Sequence, residues 1–255
     1  MNFIVTGSTD IGLTKRTNQD SLLIRVFNTS AGRMVLAVMC DGMGGLSKGE
    51  VASATVIRAF DQWSLQELPQ LCHSGITDTL IRSSWENVIH RENQKIMSYG
   101  KRLGIQLGTT VTAMLLTESR YYIVHVGDSR AYELHDRIRQ LTKDQTLVAR
   151  EVAQGLLTEE QAKVDSRRSV LLQCIGVTDE VYPEMFFGQT QLDAVYLLCC
   201  DGFIHKLTLD ELYQAFYPQA MYDEQIMQQA SVNMIELNKQ RCEEDNITVA
   251  LIRTF

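Results

Sequence analysis

Five short runs rich in β-branched and aliphatic residues punctuate the chain: Met34–Cys40, Val111–Leu116, Tyr121–Val126, Val195–Cys200 and Ile247–Leu251. Each is bounded by turn residues, a pattern that predicts strands. The turn Glu118-Ser119-Arg120 between the second and third predicts a hairpin, so much of the sheet should be antiparallel. Helical spacing dominates between the first two runs. Ser47-Lys48-Gly49-Glu50 has the form of a capping box, and Ala52, Val56, Ala59, Phe60 and Trp63 repeat behind it on one face. A second amphipathic stretch runs from about Asp78 to Ser98, with Ile81, Trp85, Val88 and Ile96 together. Further helices are expected at Thr158–Val164 and Asp223–Asn238. Strands and helices come in blocks rather than in alternation, which favours an α+β fold.

Composition narrows this picture. The 255 residues are 45% hydrophobic and 22% charged, which suits a folded domain and excludes wholesale disorder. No repeat, low-complexity tract or Pro/Gly-rich linker interrupts them, so a single domain over residues 1–255 is expected. A net charge of −7 argues against nucleic acid as a partner, which needs a basic face. It leaves phosphorylated substrates open, because a bound metal can invert the local charge. No apolar stretch approaches the roughly 20 residues of a membrane span. The amino terminus lacks a basic start and apolar signal region, so a cytoplasmic location is expected. The six cysteines form no C-x-x-C pair, and Cys40, Cys199 and Cys200 lie inside apolar runs as small buried hydrophobes.

The informative pattern is where the aspartates fall. Asp41-Gly42 ends the first apolar run, Gly127-Asp128-Ser129 ends the third, and Asp201-Gly202 ends the fourth. Asp245-Asn246 stands immediately before the fifth. If these strand ends meet, the carboxylates repel one another and must share protons or bind cations. An all-oxygen set suits Mg or Mn rather than zinc. The glycines of Asp41-Gly42-Met43-Gly44-Gly45 let backbone approach a ligand closely, so a peptide carbonyl can join the carboxylates.

Six ordered motifs now resemble the metal-dependent protein serine/threonine phosphatases (PPM, or type 2C) in their compact bacterial form. They are Asn18-Gln19-Asp20 with Lys15-Arg16 just before it, Asp41-Gly-Met-Gly-Gly45, Gly108-Thr109-Thr110, Gly127-Asp-Ser-Arg130, Asp201-Gly202 and Asp245-Asn246. The resemblance implies a sandwich of two antiparallel β-sheets flanked by α-helices, with a dinuclear Mg or Mn centre at one end. It implies that Asp41 bridges the two ions, that the Gly42 carbonyl binds one, and that Asp201 and Asp245 complete the other. Asp20 would support the centre, and Asp128 with Asp201 matches the positions of a third ion. The implied activity is hydrolysis of phosphoserine and phosphothreonine by a water activated at the two ions. Phosphorylated proteins are the implied substrates, a cognate serine/threonine kinase the implied partner, and a flap is implied at about 141–176.

Three departures from the family pattern matter. Lys15 stands where many members have the arginine that captures phosphate, with Arg16 next; lysine offers a point charge rather than a bidentate fork. Gln19 replaces a frequent glutamate. Met43 replaces a histidine proposed in some relatives as general acid, and methionine cannot donate a proton. Two rival readings remain: a phosphatase with Asp41 as covalent nucleophile, against which stands Met43 where a second aspartate would be needed, and a catalytically inactive phosphoprotein-binding regulator of the same fold. The five histidines show no ligand spacing, and His125, alternating with apolar residues, is expected to be structural.

Overall fold

Strands β1 (Phe3–Asp10), β10 (Ile247–Thr254), β9 (Val195–Cys199), β6 (Arg130–Leu134) and β7 (Ile138–Gln140) form one sheet in that order. Strands β2 (Ser21–Thr29), β3 (Gly32–Cys40), β4 (Val111–Leu116), β5 (Arg120–Val126) and β8 (Glu184–Gln189) form the other. Every pairing is antiparallel, as the hairpin between β4 and β5 led us to expect. This is a computed structural model, and it describes residues 1–43 and 48–255. Gly44, Gly45 and Ser47, on which the glycine-rich loop and the capping box partly rest, lie outside the described residues.

The two sheets face each other, and the alternation along β3 shows how. Val35, Ala37 and Met39 point into the core shared with Met114, Ile123, Leu197 and Leu251. Met34, Leu36, Val38 and Cys40 point the other way, under a helical layer. That layer is built from α1 (Gly49–Gln66), α2 (Leu68–Ser74) and α3 (Asp78–Leu103). Ala52, Val56, Ala59, Phe60 and Trp63 of α1 and Ile81, Trp85, Val88 and Ile96 of α3 are all buried, so the apolar stripes of the sequence are the packing faces. Trp85 meets Phe60 and Trp63 edge-on at 5.9 and 5.4 Å, the arrangement that ring quadrupoles favour. On the opposite face α8 (Glu224–Gln240) packs against β1 and β10, with α6 (Asp201–Ile204) beside β10 and α7 (Leu209–Ala215) beside β7.

The segment 141–176 leaves the sandwich between β7 and β8 and carries α4 (Leu147–Ala153) and α5 (Glu159–Val164), the latter started by a capping box from Thr158 to Gln161. Its two ends are clipped together, Leu147 N–H donating to Val170 O and Leu172 N–H to Gln145 O, both at 2.8 Å. Within the charged run Asp165–Arg168, Arg167 reaches Glu151 and Asp165, each at 2.8 Å.

Candidate metal centre

Each aspartate owes its place to a strand end. Asp41 follows β3 and is held by the two threonines of Gly108-Thr109-Thr110. Its N–H donates to Thr110 Oγ1 at 3.0 Å, and its carbonyl accepts from Thr110 N–H and Thr109 Oγ1, both at 2.9 Å. Gly42 passes so close to neighbouring backbone that a Cβ there would stand 2.5 Å from Gln19 O and 2.6 Å from Gly49 O. Asp201 opens α6 rather than merely ending β9, because Cys200 is already the helix cap. A Cβ on Gly202 would lie 2.2 Å from Asn246 O, so only glycine lets this turn pack on the one bearing Asp245. Asp128 follows Gly127, whose N–H and carbonyl are held by the side chain and backbone of Gln145 at 2.9 and 2.8 Å.

These residues converge. Carboxylate oxygens of Asp20 and Asp41 and Sγ of Cys200 all lie within 4.8 Å of one another. Burial, followed by the charges of Asp20, Asp201, Asp128 and Asp245, pushes the Asp41 carboxyl well above its ordinary range. Burial and the Asp201 charge do the same to Asp128, against a smaller opposing effect of His205 and Arg130. Asp20 is pushed up to about 7, chiefly by burial, although Thr248 donates to its Oδ2 at 2.5 Å. Its Oδ1 is buried without a hydrogen-bond partner among the described residues. An orphaned carboxylate oxygen amid mutually repelling carboxylates is the environment a cation relieves. The oxygen donors fit a hard cation such as Mg or Mn.

Lys15 enters the same cluster. Its ammonium touches Asp245 Oδ1, and although burial opposes its charge, Asp245, Asp41 and Asp201 together raise its pKa. Arg16 is exposed and forms no ion pair among the described residues. Gln19 sends its side-chain amide to Glu50 Oε2 at 3.3 Å, while its carbonyl accepts from Gly42 N–H at 3.2 Å. Met43 lies over Gly108, its sulfur 3.0 Å from where a Cβ would stand.

Cys200, His205 and Glu243 also take part, which the sequence pattern does not foresee. Cys200 was read as a buried hydrophobe; it is buried, but its Sγ also stands beside Asp20 and Asp41 and accepts from Thr248 N–H at 3.1 Å. His205 sits with Nε2 3.3 Å from Asp201 Oδ2 and Nδ1 3.5 Å from Glu243 Oε2. Its place four residues after Asp201, one helical turn, was the available signal. The remaining histidine of interest, His125, is buried in β5 away from this group; its Nδ1 pairs with Thr112 Oγ1 at 2.9 Å and its Nε2 has no partner among the described residues.

Comparison with known proteins follows the same lines. The family model described as Protein phosphatase 2C matches residues 14–234. A putative protein phosphatase 2C-type from Streptococcus pyogenes is 33% identical over 247 residues, covering 96% of this chain and 94% of that one. The solved serine/threonine phosphatase of S. agalactiae superposes with a TM-score of 0.82 at 28% identity, over 100% of both chains. The catalytic domain of the serine/threonine protein phosphatase PstP, solved with two manganese ions, is similar at a TM-score of 0.79 and 28% identity, over 98% of this chain and 97% of that one.

Proposed function

The chain belongs to the protein phosphatase 2C family, and from that premise we propose that it hydrolyses phosphoserine and phosphothreonine in proteins at a centre of two Mg or Mn ions. It is a metal-dependent phosphoprotein phosphatase. In this reading Asp41, the Gly42 carbonyl, Asp201 and Asp245 would hold the ions. Asp20 supports the group through its free Oδ1, and Asp128 with Asp201 offers a weaker third position. Such ions would supply an activated water and positive charge against the phosphoryl oxygens for in-line displacement.

The observation that carries this reading is the gathering of Asp20, Asp41, Asp128, Asp201 and Asp245, in which desolvation and the neighbouring carboxylate charges drive the carboxyls of Asp20, Asp41 and Asp128 upward. A module that only bound phosphoproteins would gain nothing from holding repelling carboxylates together. The chain's own residues do the rest. Lys15 neutralises Asp245 and presents its other ammonium hydrogens to the phosphate. Met43 has no proton to give, so the departing hydroxyl takes its proton from solvent. A positioned acid contributes about 10²–10⁴-fold, so its loss slows the reaction without abolishing it. Residues 141–176 form a flap tied to the Asp128 turn through Gln145. A serine/threonine kinase acting on the same proteins is the partner this activity calls for. Among the described residues no helix is long and apolar enough to cross a membrane; a cytoplasmic location belongs to the same proposal.

The test is Mn-dependent release of phosphate from phosphoserine and phosphothreonine peptides, with acid quenching to look for a phosphoenzyme. Release without a trapped phosphoenzyme is expected. A phosphoenzyme would point to Asp41 as nucleophile, and phosphopeptide binding without release would point to an inactive regulator.

A further inference from the structure

His205 and Glu243 lie outside all six motifs, yet they connect the two strand ends that bring Asp201 and Asp245 together. The imidazole stands between two carboxylates at ion-pair distance, Nε2 3.3 Å from Asp201 Oδ2 and Nδ1 3.5 Å from Glu243 Oε2, an oxygen that is buried without a hydrogen-bond partner among the described residues. Glu243 is only 5% exposed. Its Oε1 accepts from the N–H groups of Glu244 at 2.9 Å and Asp245 at 3.0 Å, so the same carboxylate grips the backbone that carries Asp245. The chain of contacts therefore runs from Asp201 through His205 and Glu243 to Asp245. It spans two segments that are 44 residues apart in sequence, since 245 − 201 = 44.

We propose that His205 and Glu243 form a clamp that positions Asp201 and Asp245 for metal. The inference rests on the dinuclear reading above. Without a link, two carboxylates on separate strand ends splay apart under their own repulsion when no cation is present. Part of the binding energy of the cation is then consumed in drawing them back together. With the link, Asp201 is held by the ring and Asp245 by the turn that Glu243 fastens, and the site is preorganised. Partners of this kind behind metal ligands typically cost about 10–100-fold in affinity when removed. Neither residue needs to touch substrate, so both are positioning residues.

Calorimetric titration of Mn at one fixed pH into wild type, His205→Ala, His205→Gln and Glu243→Gln tests this, alongside the melting temperature of each in EDTA. The clamp predicts that His205→Ala weakens Mn binding about 10–100-fold. Its melting temperature without metal should stay near that of wild type, and excess Mn should restore its turnover. Glu243→Gln keeps the backbone grip but loses the charge facing the ring, so its loss should be smaller. His205→Gln returns an amide nitrogen within reach of Asp201 and should recover most of the affinity. Wild-type affinity in His205→Ala would overturn the clamp. So would an affinity loss that follows a fall in metal-free melting temperature and that neither His205→Gln nor excess Mn repairs. A wild-type protein that binds no Mn would instead overturn the metal-centre reading itself, and the clamp with it.

Discussion

The Nζ atom of Lys15 lies 2.7 Å from Oδ1 of Asp245, an oxygen that also accepts from Asn246 N–H at 2.8 Å. The residue expected to hold phosphate is thus paired with a residue expected to hold metal. An ammonium has three hydrogens, so it can keep Asp245 and still serve a phosphoryl oxygen.

Lys15→Ala should therefore raise the Michaelis constant for a phosphopeptide more than it lowers turnover. A hydrogen bond to a charged group is worth about 1.5–3 kcal/mol, which corresponds to roughly 10–100-fold in kcat/KM. Arg16 is exposed and lacks an ion pair among the described residues, so Arg16→Ala should do less. Steady-state kinetics on both variants decide it, and a larger effect at Arg16 would show that the neighbour makes the contact.

Asp41→Asn, Asp201→Asn and Asp245→Asn should each nearly abolish phosphate release while leaving the fold intact. For Asp41 the sign of the stability change also follows. Its carboxyl is held well above the ordinary range by burial and by four neighbouring carboxylates. The ionised form is thus disfavoured in the folded state, and a neutral amide of the same shape removes that penalty. The metal-free melting temperature of Asp41→Asn should equal or exceed that of wild type, while Mn titration shows weakened binding. Wild-type turnover by this variant would defeat the dinuclear reading.

His125 gives a pH prediction that does not involve the centre. Burial lowers its pKa from 6.5 to about 4. Above the unfolded value the ring is neutral in both states and its stability contribution is complete. As the pH falls through that value toward about 4, the unfolded chain takes up a proton that the folded chain refuses. At about 1.4 kcal/mol per unit, the loss reaches about 3 kcal/mol. Urea unfolding of wild type and His125→Gln across this window should show a shallower acid decline in the variant. Parallel declines would mean that other groups set the acid limit.

The parts of the fold that were legible share a physical character. The five expected strands became β3, β4, β5, β9 and β10, inner strands buried on both faces, where apolar runs are unavoidable. The edge strands β1, β2, β7 and β8 are only partly buried and β6 carries Arg130 and Glu133, so their apolar stretches are shorter or broken by polar residues, as Arg25 breaks β2. The aspartates were legible because they terminate or precede legible strands. His205 and Glu243 were not, because their meeting depends on the pairing of β9 with β10, in which Cys199 lies opposite Val249. Neither strand alone encodes that register. The unpartnered Nε2 of His125 is also invisible to a period of two, which says only that the ring points inward.

Asp128 separates two roles that its sequence context leaves open. After a glycine and before Ser129-Arg130, an aspartate commonly hydrogen-bonds its own turn. Here no hydrogen bond to the Asp128 carboxylate forms among the described residues. The turn is instead secured by Gln145 on Gly127, by Ser129 Oγ against Thr110 Oγ1 at 2.9 Å, and by Arg130 on Asp144 at 2.6 Å. Removing the carboxylate should therefore cost little structure, and burial beside Asp201 makes it a group that repels rather than stabilises. Asp128→Ala should keep its melting temperature and its tighter Mn binding, while turnover on phosphopeptides falls. A structural aspartate would behave in the opposite way, losing about 0.5–3 kcal/mol of stability with catalysis falling only as folded protein is lost. Thermal melts, Mn titration and kcat on the same preparation distinguish the two. A destabilised Asp128→Ala protein whose folded fraction turns over normally would remove Asp128 from the centre.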